Sequence, residues 1–226
     1  MESVRSVPKG QLEEVLRADP ARNFSPLRIL SEWRDLRDFH ACGRSGFFRM
    51  KDERTGRGFV VLSAATASEG ADLAALVDDG DSSFFTVDAV AGWPDAVLPE
   101  PDPEIVPLTP DLAPYIHEHY EMRLALDAAY IEERIRCGPS VGVFRNGRLA
   151  GFSLTHDEGT LGVLEVLPEY RRQGLAEKMS VALCRKVREA GGIPTVHIKC
   201  GNRASMALAA KLGYVSTGDV IWAGWR

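Results

Sequence analysis

The chain contains no apolar run of the roughly eighteen residues that a membrane-spanning helix needs, so such a span is excluded. It also lacks basic surplus: 27 Lys plus Arg stand against 32 Asp plus Glu, a net charge of −5, and no basic stripe is present to neutralise phosphates. Nucleic acid is therefore not expected as a main partner. Cysteine is sparse. Cys42, Cys137, Cys184 and Cys200 form neither a C-x-x-C pair nor the dense framework of a secreted scaffold, which points to a reducing compartment. The first residues, MESVRSVPKGQLEE, lack the apolar stretch of a secretory signal, and a cytoplasmic location is the expectation. No internal repeat is visible.

What the chain does have is 45% hydrophobic and 26% charged residues over 226 positions, enough for one large domain or two small ones with a buried core. Six of its 13 prolines fall at 94, 99, 101, 103, 107 and 110, where missing amide donors oppose both helix and interior strand. Residues 96–108 are accordingly expected to link an N-terminal α+β domain, 1–95, to a second domain over 109–226. In the first domain Leu12, Val15 and Leu16 predict a short helix, GFFRMKDERTGRGFVVLSA an irregular hairpin, ADLAALVDD a helix and SSFFTV a strand. None of these carries recognisable chemistry.

In the second domain, Thr109-Pro110 predicts a helix start, with the helix continuing to the mid-120s, and a second helix should end at Cys137-Gly138-Pro139. SVGVFRNGRLAGFSLTH reads as a hairpin turning at Asn146-Gly147, a dipeptide suited to two positive φ angles. TLGVLEVLP is a strand, and Leu175, Met179, Leu183 and Val187 recur at helical spacing until Ala190-Gly191-Gly192. PTVHIKC is a further strand, Asn202 should cap a helix ended by Gly213, and VIWAGW should supply the last strands. His117-Glu118-His119 does not suit a metal, because residues two apart on a helix diverge.

Between strand and helix lies Pro168-Glu169-Tyr170-Arg171-Arg172-Gln173-Gly174-Leu175-Ala176. Orphan N–H groups and the dipole at a helix start attract an anion. Gly174 and Ala176 leave the backbone uncovered, and Arg171 and Arg172 add charged donors. This stretch resembles the acyl-CoA-binding loop of the GNAT N-acyltransferase superfamily, with Arg171, Gly174 and Ala176 filling its Gln/Arg-x-x-Gly-x-Gly/Ala pattern. LEVLPEYRRQGLAEKM, VHIKCGN and NRASMALAAKLGY follow in the family's order, and the similarity covers residues 140–222, most like the glycine N-acyltransferase and FR47-like branch.

The resemblance implies a GNAT fold of α+β class: a mixed, mostly antiparallel sheet with a splayed central strand pair, flanked by helices. It implies acetyl-CoA or another acyl-CoA as cosubstrate, with no metal, and direct acyl transfer to a primary amine of a small molecule or amino acid. Leu164, Glu165 and Val166 would hold the pantetheine through backbone groups, the N–H near Val166 would serve the oxyanion, and Arg171, Arg172, Gln173, Gly174, Leu175 and Ala176 would cradle the pyrophosphate. Asn202 and Ser205 are further expected contacts to the cofactor. His197, on the strand after the loop, is the expected base, a structural histidine being the alternative. Two family positions depart from pattern: Thr160 stands where a glutamate base is frequent and Ala209 where an acid tyrosine is usual. Those gaps keep a non-catalytic acyl-CoA-sensing module open beside the enzyme, and acylation of a protein N-terminus or lysine open beside small amines.

Overall fold

The computed structural model describes residues 3–20, 22–51, 58–77, 83–91, 102–122, 126–199 and 201–225. Residues 96–101 of the expected linker lie outside them. The chain is α+β and clusters into two compact units: Met1–Ala91 with His197–Met206 and Val215–Arg226, and Gly92–Val196 with Ala207–Tyr214.

The first unit contains β1 (Arg5–Ser6), α1 (Lys9–Arg17), α2 (Phe24–Glu32), β2 (Leu36–Cys42), β3 (Ser45–Lys51), β4 (Gly58–Ser63), α3 (Ala67–Ala74), β5 (Ser83–Ala91) and the C-terminal strand β11 (Val215–Trp225). Its strands run β1-β2-β3-β4-β11-β5, every neighbouring pair antiparallel. Alternation along β3 and β4 builds a core on each face. Phe48, Met50 and Val61 meet Leu12 and Leu16 of α1 and Ile29 and Leu30 of α2, whereas Phe47, Val60 and Leu62 meet Leu73 of α3. Fully burying each such side chain contributes about 1.5–3 kcal/mol. The C-terminal residues, read from sequence with the downstream domain, are one strand inserted between β4 and β5.

The second unit contains β6 (Ile105–Val106), a 3-10 turn (Pro110–Leu112), α4 (Ala113–His119), α5 (Ala128–Cys137), β7 (Ser140–Arg145), β8 (Arg148–Thr155), β9 (Leu161–Val166), a second 3-10 turn (Pro168–Tyr170) and α6 (Leu175–Glu189). β10 (Thr195–Lys199) and α7 (Arg203–Lys211) each contribute residues to both units. β6, β7, β8 and β9 pair antiparallel in sequence order, and Val196 of β10 pairs in parallel with Leu161 of β9. Asn146 and Gly147 adopt φ of 51° and 75°, as the tight turn between β7 and β8 requires. α4 opens on the 3-10 turn and ends at His119, short of the mid-120s expected from sequence, because Tyr120 is extended and its N–H closes onto Ile116. Its core joins Ile116 of α4 and Ile131 and Ile135 of α5 to Leu149, Phe152, Leu154 and Val163 of the sheet.

The two units repeat one element order. A two-residue strand antiparallel to the strand after a helix pair (β1, β6) is followed by two helices, three antiparallel strands, a helix and a strand. The amino-acid sequence shows no such repeat; topology alone carries it.

Candidate active site

β9 is the element from which the site is built. Against β8, Phe152 pairs with Glu165 and Leu154 with Gly162, so β9 carries one extra residue over that interval. The extra residue makes a bulge, and Val163 within it takes φ of 47°. A β-branched residue pays strain in this left-handed region, and tertiary packing must hold it there. Val163 is accordingly buried among Ile116, Ile131 and Phe152. On the side away from β8, Leu161 pairs with Val196, and among the described residues no strand ladder continues along Leu164–Val166.

Beyond β9 the chain is tied down and then turned sharply. Leu167 N–H donates to Ala150 O at 2.9 Å, the 3-10 turn follows, and Arg172 and Gly174 both adopt positive φ, 63° and 76°. Gly174 caps α6 with no side-chain hydrogen bond, and Lys178 N–H makes the first intrahelical bond to Gly174 O at 3.1 Å. The amides of Leu175, Ala176 and Glu177 therefore open the helix as orphan donors. A Cβ at Gly174 would meet nothing within 4 Å, so the approach to these amides is open. In the first unit the matching helix start is closed: Thr66 Oγ1 accepts from Glu69 N–H at 3.2 Å, and the Glu69 carboxylate is held by Ser45.

Arg171 folds back onto β9. Its Nε donates to Val166 O at 2.9 Å and its Nη2 to Glu165 Oε1 at 3.1 Å, fastening loop to strand. Arg172 and Gln173 are exposed beside Gly174, and Glu177, the one acidic side chain in the first turn, is paired with Lys211. The helix is seated by Leu175, Met179, Leu183 and Val187. Met179 reaches the sheet at Gly151, where a Cβ would lie 2.8 Å from Met179 Cε and 2.9 Å from Glu165 O. The β9 segment, the loop and the α6 start thus form one continuous cradle. On its flank Leu112, Tyr115, His119, Arg148, Glu169 and Tyr170 help line a cavity of about 590 Å³.

The other expected residues lie elsewhere in sequence order. His197 is half-buried on β10, directly after Val196, and belongs with Asn202 and Ser205 to the first unit. Asn202 Oδ1 accepts from Ser205 N–H at 3.1 Å, so it does cap α7. Ala209 is buried, and the nearby Tyr214 hydroxyl bonds to Cys184 Sγ at 2.9 Å, with burial pushing that thiol up to about 11. Neither group is presented as a ready acid or nucleophile. His119 stacks on Tyr115 with ring centroids 4.0 Å apart. Among the described residues no three His, Cys, Asp or Glu side chains cluster to hold a metal, and no helix is long and apolar enough to cross a membrane.

Sequence reading missed a polar cluster at the turn between β8 and β9. Tyr130 of α5 donates its hydroxyl to Asp157 Oδ1 at 3.1 Å and stands 3.1 Å from His156 Nδ1, while Thr160 Oγ1 donates to Glu158 Oε1 at 2.6 Å. The His156 ring lies where a Cβ on Gly162 would be, one residue before Val163. Burial lowers the His156 pKa, and burial followed by the nearby Asp157 pushes Glu158 up to about 8. The one sequence signal was Gly162 itself, an unexplained glycine inside a strand.

Residues 140–223 match the family model described as FR47-like protein. No match occurs among curated protein sequences. A solved structure of a Drosophila protein is similar over 100% of this chain and 99% of its own, with a TM-score of 0.65 and 18% identity. A GNAT-family putative acetyltransferase from Novosphingobium aromaticivorans covers 76% of this chain and 74% of its own length, with a TM-score of 0.57 and 19% identity. A GCN5-related N-acetyltransferase-like protein from Streptococcus suis covers 97% and 100%, with a TM-score of 0.56 and 15% identity. The fold is thus the GNAT fold. Its FR47-like segment begins at β7 and contains the bulged strand, the loop and the whole of α6.

Proposed function

We propose that this protein is an acyl-CoA-dependent N-acyltransferase, moving an acetyl or other acyl group directly to a primary amine of a small molecule or amino acid. The observation that carries the reading is the cradle itself: a bulged strand that, on its side away from β8 and among the described residues, has no ladder along Leu164–Val166, running into the start of α6 at Gly174, which has no side-chain cap and no obstruction at the Cβ position. A pyrophosphate bound at that start receives the amides of Leu175, Ala176 and Glu177 and the positive end of the helix dipole, with Arg172 and Gln173 beside it. The pantetheine amides then complete the open side of β9 as an added strand would, satisfying backbone groups that are otherwise costly to leave unpaired.

In this reading the thioester carbonyl takes a hydrogen bond from the backbone near Val166, stabilising the oxyanion that forms on attack. The acceptor amine must be neutral to attack, so a base is needed near neutral pH. Two imidazoles are candidates: His197, proposed from the resemblance, and His156, argued below from geometry. The domain division proposed from sequence assigns this chemistry to residues 109–226, downstream of the proline-rich linker, and gives residues 1–95 no role in it.

Calorimetry with acetyl-CoA and a free-thiol assay over amino acids, aralkylamines and polyamines test the reading. Binding with amine-dependent CoA release is expected. Tight binding with no release from any amine would instead favour a sensing module, and no binding would remove both.

A further inference from the structure

His156, Tyr130 and Asp157 are all members of the second unit, yet the architecture alone does not require them. A hairpin from β8 to β9 could close on any polar residues. Here the turn sets a ring on Gly162, beside the strained bulge at Val163, and links it to α5. If acyl-CoA lies as proposed above, on which this inference rests, its pantetheine runs from Gly174 back along Val166 and Leu164. The thioester is then carried toward the bulge, and Val163 lies about 10 Å along the strand from Val166 at ~3.3 Å per residue.

The hydrogen bonds fix which imidazole nitrogen is available. A tyrosine hydroxyl has one proton, and that of Tyr130 goes to the Asp157 carboxylate, the stronger charge-assisted acceptor, while the hydroxyl oxygen accepts from Asp157 N–H at 3.4 Å. Facing Tyr130 at 3.1 Å, His156 Nδ1 is left to donate, and Nε2 is left with its lone pair on the Gly162 side. Among the described residues nothing hydrogen-bonds to Nε2. We infer that His156 Nε2 is the general base that takes a proton from the acceptor's ammonium group, and that Tyr130 and Asp157 are positioning residues that hold its tautomer.

The step balances. The ammonium gives one proton to Nε2, and the freed lone pair attacks the thioester carbonyl carbon. The tetrahedral adduct collapses with cleavage of the C–S bond, and the second amine proton passes to the departing thiolate. Amide, CoA thiol and imidazolium result, and the imidazolium returns its proton to solvent. The groups facing the ring act in opposing senses. Burial and the Arg134 guanidinium on α5 keep the free imidazole neutral, Asp157 steadies the imidazolium once formed, and Glu158, protonated at neutral pH, adds no second negative charge.

The test pairs NMR of the ¹⁵N-labelled wild-type protein with kinetics of variants. The His156 resonances should show an unprotonated Nε2 that shifts on addition of acetyl-CoA; an Nε2–H tautomer, or no response to bound acetyl-CoA, overturns the inference. With an amine found to be acylated, His156→Gln should lower kcat about 100-fold or more near neutral pH, keep the acetyl-CoA Kd, and recover as pH rises and free amine becomes abundant. Tyr130→Phe should mix the two tautomers and lower kcat in part. A wild-type kcat and pH profile in His156→Gln, with His197→Ala showing the pH-rescued loss instead, assigns the base to His197 and overturns the proposal. Wild-type protein that neither binds acetyl-CoA nor acylates any amine refutes the acyltransferase reading itself, an outcome distinct from failure of His156 alone.

Discussion

The imidazole of His156 occupies the space in which a side chain at Gly162 would begin. Glycine there is thus a packing requirement of the ring. Gly162→Ala should displace His156 from Tyr130 and destabilise the protein by about 1–3 kcal/mol, as overpacking does. Urea unfolding measures the loss, and the His156 NMR signal should move with it. An alanine variant of wild-type stability with an unmoved ring signal would contradict the placement.

Glu158 gives a pH dependence of defined sign. Its pKa rises from 4.5 to about 8 on folding, through burial first and Asp157 second. The folded state therefore binds more protons than the unfolded one between those values, and this contribution to stability is present at low pH and lost as pH climbs toward 8. Glu158→Gln should be spared that loss. Thermal unfolding of the two proteins between pH 5 and 8.5 should show the variant gaining on the wild type as pH rises; a constant difference would contradict it.

Gly151 is caught between Met179 Cε at 2.8 Å and the Glu165 carbonyl at 2.9 Å from its Cβ position. The thioether can move but the backbone of β9 cannot move freely. Gly151→Ala is expected to cost about 1–3 kcal/mol in denaturant unfolding. Because the strain falls on the bulged strand, acetyl-CoA affinity should fall as well.

Asn202 separates capping from ligand contact. Asn202→Ala should lose about 1 kcal/mol of stability with the bond to Ser205 N–H, and Asn202→Asp should recover it. If acetyl-CoA affinity follows stability in this series, capping is its only role; an affinity loss in both variants supports the proposed contact to pantetheine.

Local signals were legible in the sequence wherever one residue type met one backbone demand. Asn146-Gly147 announced its turn through positive φ, Gly191 ended α6 at φ of 79°, and Gly174 announced the cradle. α2 was missed, since Phe24–Glu32 has no capping hydrogen bond and begins at the poor helix signal Phe24-Ser25-Pro26. β2 was missed because Asp38, at φ of 56°, breaks its register with β3 between Arg37 and His40 and so breaks the alternation that marks a strand. The pairing of β11 with β4 and the meeting of Tyr130 with His156, 26 residues apart, are products of topology. No window of sequence contains them.

The central claim is that the open start of α6 binds the pyrophosphate of acyl-CoA, and calorimetric titration of the wild type and Gly174→Asp with acetyl-CoA tests it most directly. The built Cβ of residue 174 meets nothing within 4 Å, so aspartate adds only a charge and the strain of its left-handed φ, about 1–2 kcal/mol, to a fold that should persist. Saturable binding by the wild type and its abolition in a folded Gly174→Asp protein is the predicted result. Equal affinity in the two proteins, or no binding by the wild type, would contradict the account.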